Sequence, residues 1–238
     1  MDGIEIIHGF HQSLQSLYNN EEFSDLTIKC QGTEIKVHKM VLACHSKHFK
    51  KMFSGPWTES QKKVLEIKEF EPAVVEAMLR FMYSFHYAGN KDAGTIFHVK
   101  VYECADYYAM DVLKNMAAEK FRSVVGSVVT EKELVALIEY LFESPDLGLR
   151  NLILDRITER VDTLLDQDWF DGVMVSVPEF AAAMVRRMHR RNPMAYKCYN
   201  CHFSIPWSSM GTNPTNCYHC NAMVQWGDAD GRLHSKTL

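Results

Sequence analysis

The sequence predicts an α+β protein: a small sheet with surrounding helices, then a helical extension, then a short C-terminal segment too poor in aliphatic residues to fold on a core of its own. Three observations carry this. Between Phe23 and Phe53 the apolar residues first alternate and then recur at helical spacing. From Pro72 to Arg191 one helical pattern follows another, and near the end four cysteines fall into two Cys-x-x-Cys units.

The elements follow in order. Ile6, Ile7, Phe10, Leu14 and Leu17 repeat at three- and four-residue intervals up to Tyr18-Asn19-Asn20, which predicts an amphipathic N-terminal helix over residues 1–20. Leu26, Ile28 and Cys30 alternate with polar residues, Gln31-Gly32 supplies a turn, and Ile35 and Val37 alternate again, which is a β-hairpin with one buried face. From His38 the period becomes helical: Val41, Leu42, His45, Phe49, Met52 and Phe53 predict one helix packed on the hairpin. Gly55-Pro56 forbids its continuation, and a short strand is expected over Val64 to Ile67. Pro72 is tolerated at a helix start, because first-turn amides have no intrahelical partner, and Val74 or Val75, Met78, Leu79, Met82 and Tyr83 supply the apolar face. The stretch His86 to Gly94 reads as an exposed loop.

Further on, Leu134, Leu137, Ile138 and Leu141, then Leu152, Ile153, Ile157, Val161 and Leu164, mark helices over residues 131–143 and 146–166, separated by Ser144-Pro145. Ser176-Val177-Pro178-Glu179 spells a capping box for another helix, which Asn192-Pro193 ends.

Composition narrows the function classes. At 238 residues and 47% apolar, the chain can bury a core without disulfides. It has no apolar run of about eighteen residues and no basic-then-apolar leader, so neither a membrane span nor a secretory signal is expected; an intracellular protein of nucleus and/or cytoplasm is. Seven cysteines, an odd number, point to reduced thiols. The net charge of −4 offers no global pull toward nucleic acid.

Cys198-Tyr199-Asn200-Cys201 and Cys217-Tyr218-His219-Cys220 are the densest chemical signal, with residues 202–216 between them. A Cys-x-x-Cys turn places both sulfurs on one side, and two such turns facing each other complete a tetrahedron around zinc, with Zn–S bonds of about 2.3 Å. Filling all four positions with thiolates leaves none for water, so the expected zinc is structural and supplies folding free energy to residues 193–238. A pair of redox dithiols, or plain surface cysteines, is the bland alternative. The segment looks like a zinc ribbon.

Ser24-Asp25-Leu26-Thr27-Ile28, Val37-His38-Lys39-x-Val41-Leu42-Ala43 and Ser46-x-x-Phe49-x-x-Met52-Phe53 together resemble the BTB/POZ domain, of a kind similar to fungal-type BTB proteins. Pro72-x-x-Val75-x-x-Met78-Leu79-x-Phe81-Met82-Tyr83 and Val101-Tyr102-x-x-Ala105-x-x-Tyr108-x-Met110-x-x-Leu113-x-x-Met116-Ala117 carry the resemblance to residue 124. It implies a BTB/POZ domain over residues 21–125. Residues 126–192 loosely resemble the helical extension of ubiquitin-ligase adaptors.

The resemblance also assigns roles. The leading helix packs across a two-fold axis in BTB domains that carry one, which implies a homodimer; packing on its own domain is the alternative. Trp57-Thr58-Glu59 fits a hydrophobic-x-Glu pattern that contacts a cullin scaffold in BTB adaptors, against an aromatic that merely pins a turn. Asp25 and Lys39 match charged positions near the dimer interface of transcriptional BTB domains, against a structural salt bridge or helix cap. His38 reads as a hydrogen-bonded structural histidine.

Arg186, Arg187, Arg190 and Arg191, with His189, crowd the end of the last helix. Cations there suit the helix dipole, and a solvated end competes with a basic patch that touches phosphate or serves nuclear import. Catalysis has no motif to stand on. No Gly-x-Ser-x-Gly, glycine-rich phosphate loop or His-Glu-x-x-His occurs, and Cys44-His45 are adjacent on one helix, about 100° apart. The expectation is therefore a dimer-forming scaffold and no enzyme, a substrate adaptor that joins a cullin-type ubiquitin ligase to a client protein. The alternative is a nuclear regulator whose ribbon and arginines contact nucleic acid.

Overall fold

The computed structural model describes residues 3–54, 62–88, 94–126, 130–146 and 148–191, with shorter stretches at 195–198, 200–201, 204–206, 219–220, 224–225 and 232–235. The chain divides into two units, Met1–Ile153 and Leu154–Leu238. Among the described residues no helix is long and apolar enough to cross a membrane.

The first unit opens with helix α1 (Gly3–Ser16), followed by strands β1 (Leu26–Cys30) and β2 (Thr33–Val37). These strands pair antiparallel with Leu26 opposite Val37 and Cys30 opposite Thr33. Gln31 (φ 45°) and Gly32 (φ 87°) turn the chain with both residues left-handed, the backbone twist that suits a two-residue hairpin. Strand β3 (Val64–Glu66) joins β1 in parallel, Thr27 opposite Val64, so the sheet order is β2-β1-β3. A parallel neighbour needs a crossover, and among the described residues two helices lie within it.

Those helices, α2 (Lys39–His45) and α3 (Lys47–Phe53), correct the expectation of a single helix. Ser46 breaks it with extended dihedrals (φ −131°, ψ 121°). Its hydroxyl accepts from the Phe49 amide at 3.1 Å, which caps α3, and donates to the Tyr108 carbonyl at 2.5 Å. The apolar period runs unbroken through this position, so periodicity alone cannot reveal the break.

Helix α4 (Pro72–Ser84) buries Val74, Val75, Met78, Leu79 and Met82. It is followed by α5 (Thr95–Tyr107) and α6 (Asp111–Gly126), which pack on each other and are separated by Tyr108, Ala109 (φ 51°) and Met110. Ser46 therefore ties one interruption between helices to another. Phe49 stacks on Tyr108 with ring centroids 4.8 Å apart, and on Phe53 at 5.9 Å.

Part of the expected exposed loop is not exposed. Tyr87 is 1% accessible, its hydroxyl 3.0 Å from His98 Nδ1, with Lys120 Nζ 4.0 Å above its ring. Residues 89–93 lie outside the described residues.

Helix α7 (Glu131–Glu143) carries a capping box: the Thr130 hydroxyl accepts from the Glu133 amide at 3.4 Å and Glu133 Oε2 accepts from the Thr130 amide at 3.0 Å. At the other end, the Arg150 guanidinium donates to the carbonyls of Leu141, Phe142 and Ser144, which satisfies acceptors the helix leaves open.

Helix α8 (Arg150–Glu159) leads into the second unit, with α9 (Val161–Leu164), α10 (Asp168–Ser176) and α11 (Pro178–Arg191). The Ser176 capping box does not form. Ser176 is the last residue of α10, a helix the periodicity did not announce, and its hydroxyl donates back to the Val173 carbonyl at 3.3 Å. Phe170 meets Phe180 edge-on at 6.0 Å, joining α10 to α11. Strands β4 (Ala195–Cys198), β5 (Ser204–Pro206), β6 (Val224–Gln225) and β7 (Arg232–Ser235) then form a sheet of order β5-β4-β7-β6. In it β4 runs antiparallel to β5 and parallel to β7, with Cys198 opposite Leu233.

Candidate functional site

In the first unit part of the exposed apolar surface lies on α1. His11, Leu14, Leu17 and Tyr18 are partly covered, and His11 Nε2 lies 3.0 Å from the Ser84 carbonyl at the end of α4. Ile6 (61% exposed), Ile7 (70%) and Phe10 (69%) face solvent. Phe85, left-handed at φ 54°, sits between His11 of α1 and His45 of α2, each ring centroid 5.4 Å from its own. Met40 on α2 is 75% exposed and borders a groove of about 680 Å³, whose other walls include Cys44, Lys47, Phe81 and Val112. Met40 occupies the variable place in Val37-His38-Lys39-x-Val41, so the motif gave no signal for it.

Asp25 and Lys39 meet through the backbone. Asp25 Oδ1 accepts from the Lys39 amide at 2.8 Å, which supplies the cap that His38, the preceding residue, does not give α2 with its own side chain. The Lys39 ammonium lies 5.8 Å from the Phe53 ring centroid.

His38 is buried. Its amide donates to the Tyr83 hydroxyl at 2.9 Å, its Nδ1 lies 2.9 Å from the same oxygen, and its Nε2 lies 2.9 Å from the Glu22 carbonyl. One arrangement satisfies all three: Nε2–H donates to Glu22, and Nδ1 accepts the Tyr83 proton. Burial pushes the Tyr83 phenol up to about 12.

Helix α3 ends at Phe53, and Trp57 and Glu59 lie outside the described residues. In the second unit the arginine cluster divides. Arg186 is exposed, whereas Arg187 Nε donates to Asp155 Oδ1 at 2.9 Å and a second guanidinium nitrogen pairs with the same oxygen. That ion pair raises the Arg187 pKa, through the hydrogen bond first. The Arg190 and Arg191 side chains lie outside the described residues.

Of the four paired cysteines, Cys198 closes β4, and Cys201 and Cys220 sit half-buried in separate turns. The Asn200 side-chain amide donates to Cys220 Sγ at 3.7 Å, so the turn of the first Cys-x-x-Cys unit touches the last cysteine of the second. Among the described residues no cluster of three metal-capable side chains occurs; Cys217 lies outside them, and Cys198 is described in its backbone only.

The family model described as BTB/POZ domain matches residues 14–124. Mouse Kelch-like protein 8 is 39% identical over 75 residues, which cover 32% of this chain and 12% of that relative's length. Among solved structures, the BTB domain of zebrafish PATZ1 is 18% identical with a TM-score of 0.43, covering 52% of this chain and 97% of that one. The BTB domain of human Gigaxonin is 22% identical with a TM-score of 0.41, covering 50% and 93%.

Proposed function

Residues 14–124 are a BTB/POZ domain, and from that premise we propose that the protein is a protein-interaction adaptor, dimeric through α1 and α2, that links a cullin-type ubiquitin-ligase scaffold to a client protein. The observation that carries this reading is the outward apolar stripe of Ile6, Ile7 and Phe10, on a helix already anchored to its own domain by His11. Contiguous apolar side chains left in water on a soluble fold mark a contact surface. A second copy of the domain is the partner that the resemblance implies. Trp57 and Glu59 supply the scaffold contact, and the second unit presents the client surface. Pull-down with a class-three cullin tests the adaptor role. Retention by the wild-type chain and loss with Glu59→Lys are expected; no retention, or full retention by Glu59→Lys, refutes it.

The C-terminal segment supports this role as a zinc-held platform, with Cys198, Cys201, Cys217 and Cys220 as ligands. The metal supplies no chemistry beyond crosslinking, because four thiolates leave no position for substrate. The competing nucleic-acid reading loses part of its charge, since Arg187 is committed to Asp155.

A further inference from the structure

Three helices of the first unit begin around one cleft. Its walls enclose about 580 Å³ and come from the starts of α4, α5 and α7, and none of the residues assigned above to a partner lines it. That volume suits a small organic molecule. Ala73, Ile96, Phe97 and Ala136 make much of the lining apolar.

Thr95, at the start of α5, is the polar residue that has no use within the fold. It lines the cleft and is 3% exposed, yet its hydroxyl makes no hydrogen bond with any described residue. A hydroxyl taken out of water without a partner costs free energy. The oxygen is nevertheless not sealed into the core, so it is reached through the cleft.

The backbone adds donors beside it. The amides of Ala73 in α4 and of Thr95 and Ile96 in α5 precede the first intrahelical bonds and have no other partner. Neither Glu71 nor Gly94 caps its helix with a side chain, whereas α7 is closed by its own box, which engages the Glu133 carboxylate. Lys100 is paired with Glu71 and lies 5.9 Å from the Tyr140 ring centroid, while Lys132 is exposed and has no carboxylate partner among the described residues. The formal charges of Lys100 and Lys132 cancel those of Glu71 and Glu133. The uncapped ends of α4 and α5, each equivalent to roughly half a positive charge, tip the balance toward an anion.

We propose that this cleft binds an organic monocarboxylate with an apolar body. The carboxylate accepts from the Thr95 hydroxyl and the amides at the start of α5, with the Lys132 ammonium alongside, and the apolar part lies on Ile96, Phe97 and Ala136. Among the lining residues Lys132 alone is an uncommitted cation, which matches one unit of ligand charge better than the two of a phosphate. The site is independent of the adaptor reading.

Calorimetric titration of the full chain with 4-phenylbutyrate, and with 4-phenylbutanamide as its uncharged counterpart, tests this in the wild type, Thr95→Val, Lys132→Gln and Ala136→Trp. The wild type is expected to bind the acid saturably and the amide at least about 10-fold more weakly. Thr95→Val keeps the side-chain shape and is expected to weaken the acid by about 10-fold. Its urea midpoint without ligand should be unchanged or higher, because the hydroxyl it removes has no partner, so lost binding is not lost folding. Lys132→Gln is expected to weaken the acid by about 2- to 5-fold, and Ala136→Trp, which fills the cleft, to abolish binding. No saturable binding of the acid up to about 10 mM, equal affinity for acid and amide, or unchanged affinity in Thr95→Val overturns the proposal. A lower urea midpoint in unliganded Thr95→Val overturns it as well, since it shows the hydroxyl to be bonded within the fold.

Discussion

The Tyr83 hydroxyl holds His38 at two points, the backbone amide and Nδ1, each at 2.9 Å. One oxygen thereby fixes both the start of α2 and the imidazole that reaches on to Glu22. Tyr83→Phe leaves a buried amide and a ring nitrogen without their partner, which is expected to cost about 1–3 kcal/mol of stability in urea unfolding. His38→Ala removes the ring contacts to Tyr83 and Glu22 and keeps the amide bond to Tyr83, so the two variants share the Nδ1 contact. The double variant is therefore expected to lose less than the sum of the two, by about 0.5–3 kcal/mol.

Stability is expected to fall on the acid side. His98 is lowered below its ordinary 6.5 by burial first and by the Lys120 charge second, and its Nδ1 faces the Tyr87 hydroxyl. His45 is lowered by burial, against a smaller raising effect from a hydrogen bond to the Met82 backbone. A depressed folded pKa means that the unfolded chain takes up the proton first as pH falls. The contribution is thus complete above 6.5 and is lost as pH drops through the folded value. Urea midpoints across that range check it, with a shallower slope expected in His98→Gln.

On the alkaline side the sign reverses. Tyr18 and Tyr83 are both raised from 10 to about 12, chiefly by burial, so their contribution is complete below pH 10 and is lost as pH rises through 12. Tyrosinate absorbance followed together with unfolding is expected to show both residues ionising with the global transition.

Self-association is expected to depend on the α1 stripe. Ile7→Glu and Phe10→Glu each place a carboxylate where apolar surface meets its partner, and sedimentation velocity is expected to show monomer in place of dimer. Both side chains are largely exposed in the single chain. Monomer stability should therefore move by no more than about 0.5 kcal/mol.

The hairpin and α4 were legible in the sequence because alternation and three- to four-residue spacing report which face is buried, and in both elements that face meets the core. Ser46 shows the limit. Its break is enforced by the Tyr108 carbonyl, a partner far along the chain, while Val41, Leu42 and Phe49 keep a helical period across it. The same reasoning separates two similar spellings. Thr130-x-x-Glu133 forms its box because an extended residue precedes α7, whereas Ser176-x-x-Glu179 does not, because α10 runs through Ser176. Tyr87 looked like loop surface among glycines and polar residues, and only the packing of His98 and Lys120 around it reveals a buried anchor. Asn200 carried no pattern at all, since its partner belongs to the other cysteine pair.

The parallel pairing of β1 with β3 also sets an order of assembly. As the chain is synthesised, the β1–β2 hairpin can close as soon as Gly32 and Val37 emerge, but one edge of β1 stays open until Val64 to Glu66 arrive. Until then Thr27 and Lys29 lack the backbone partners at Lys63 and Ile67 that they have in the finished sheet. Closing so long a loop costs entropy before any contact repays it. The nascent domain is thus most vulnerable to pairing with another chain while β1 has emerged and β3 is still to come.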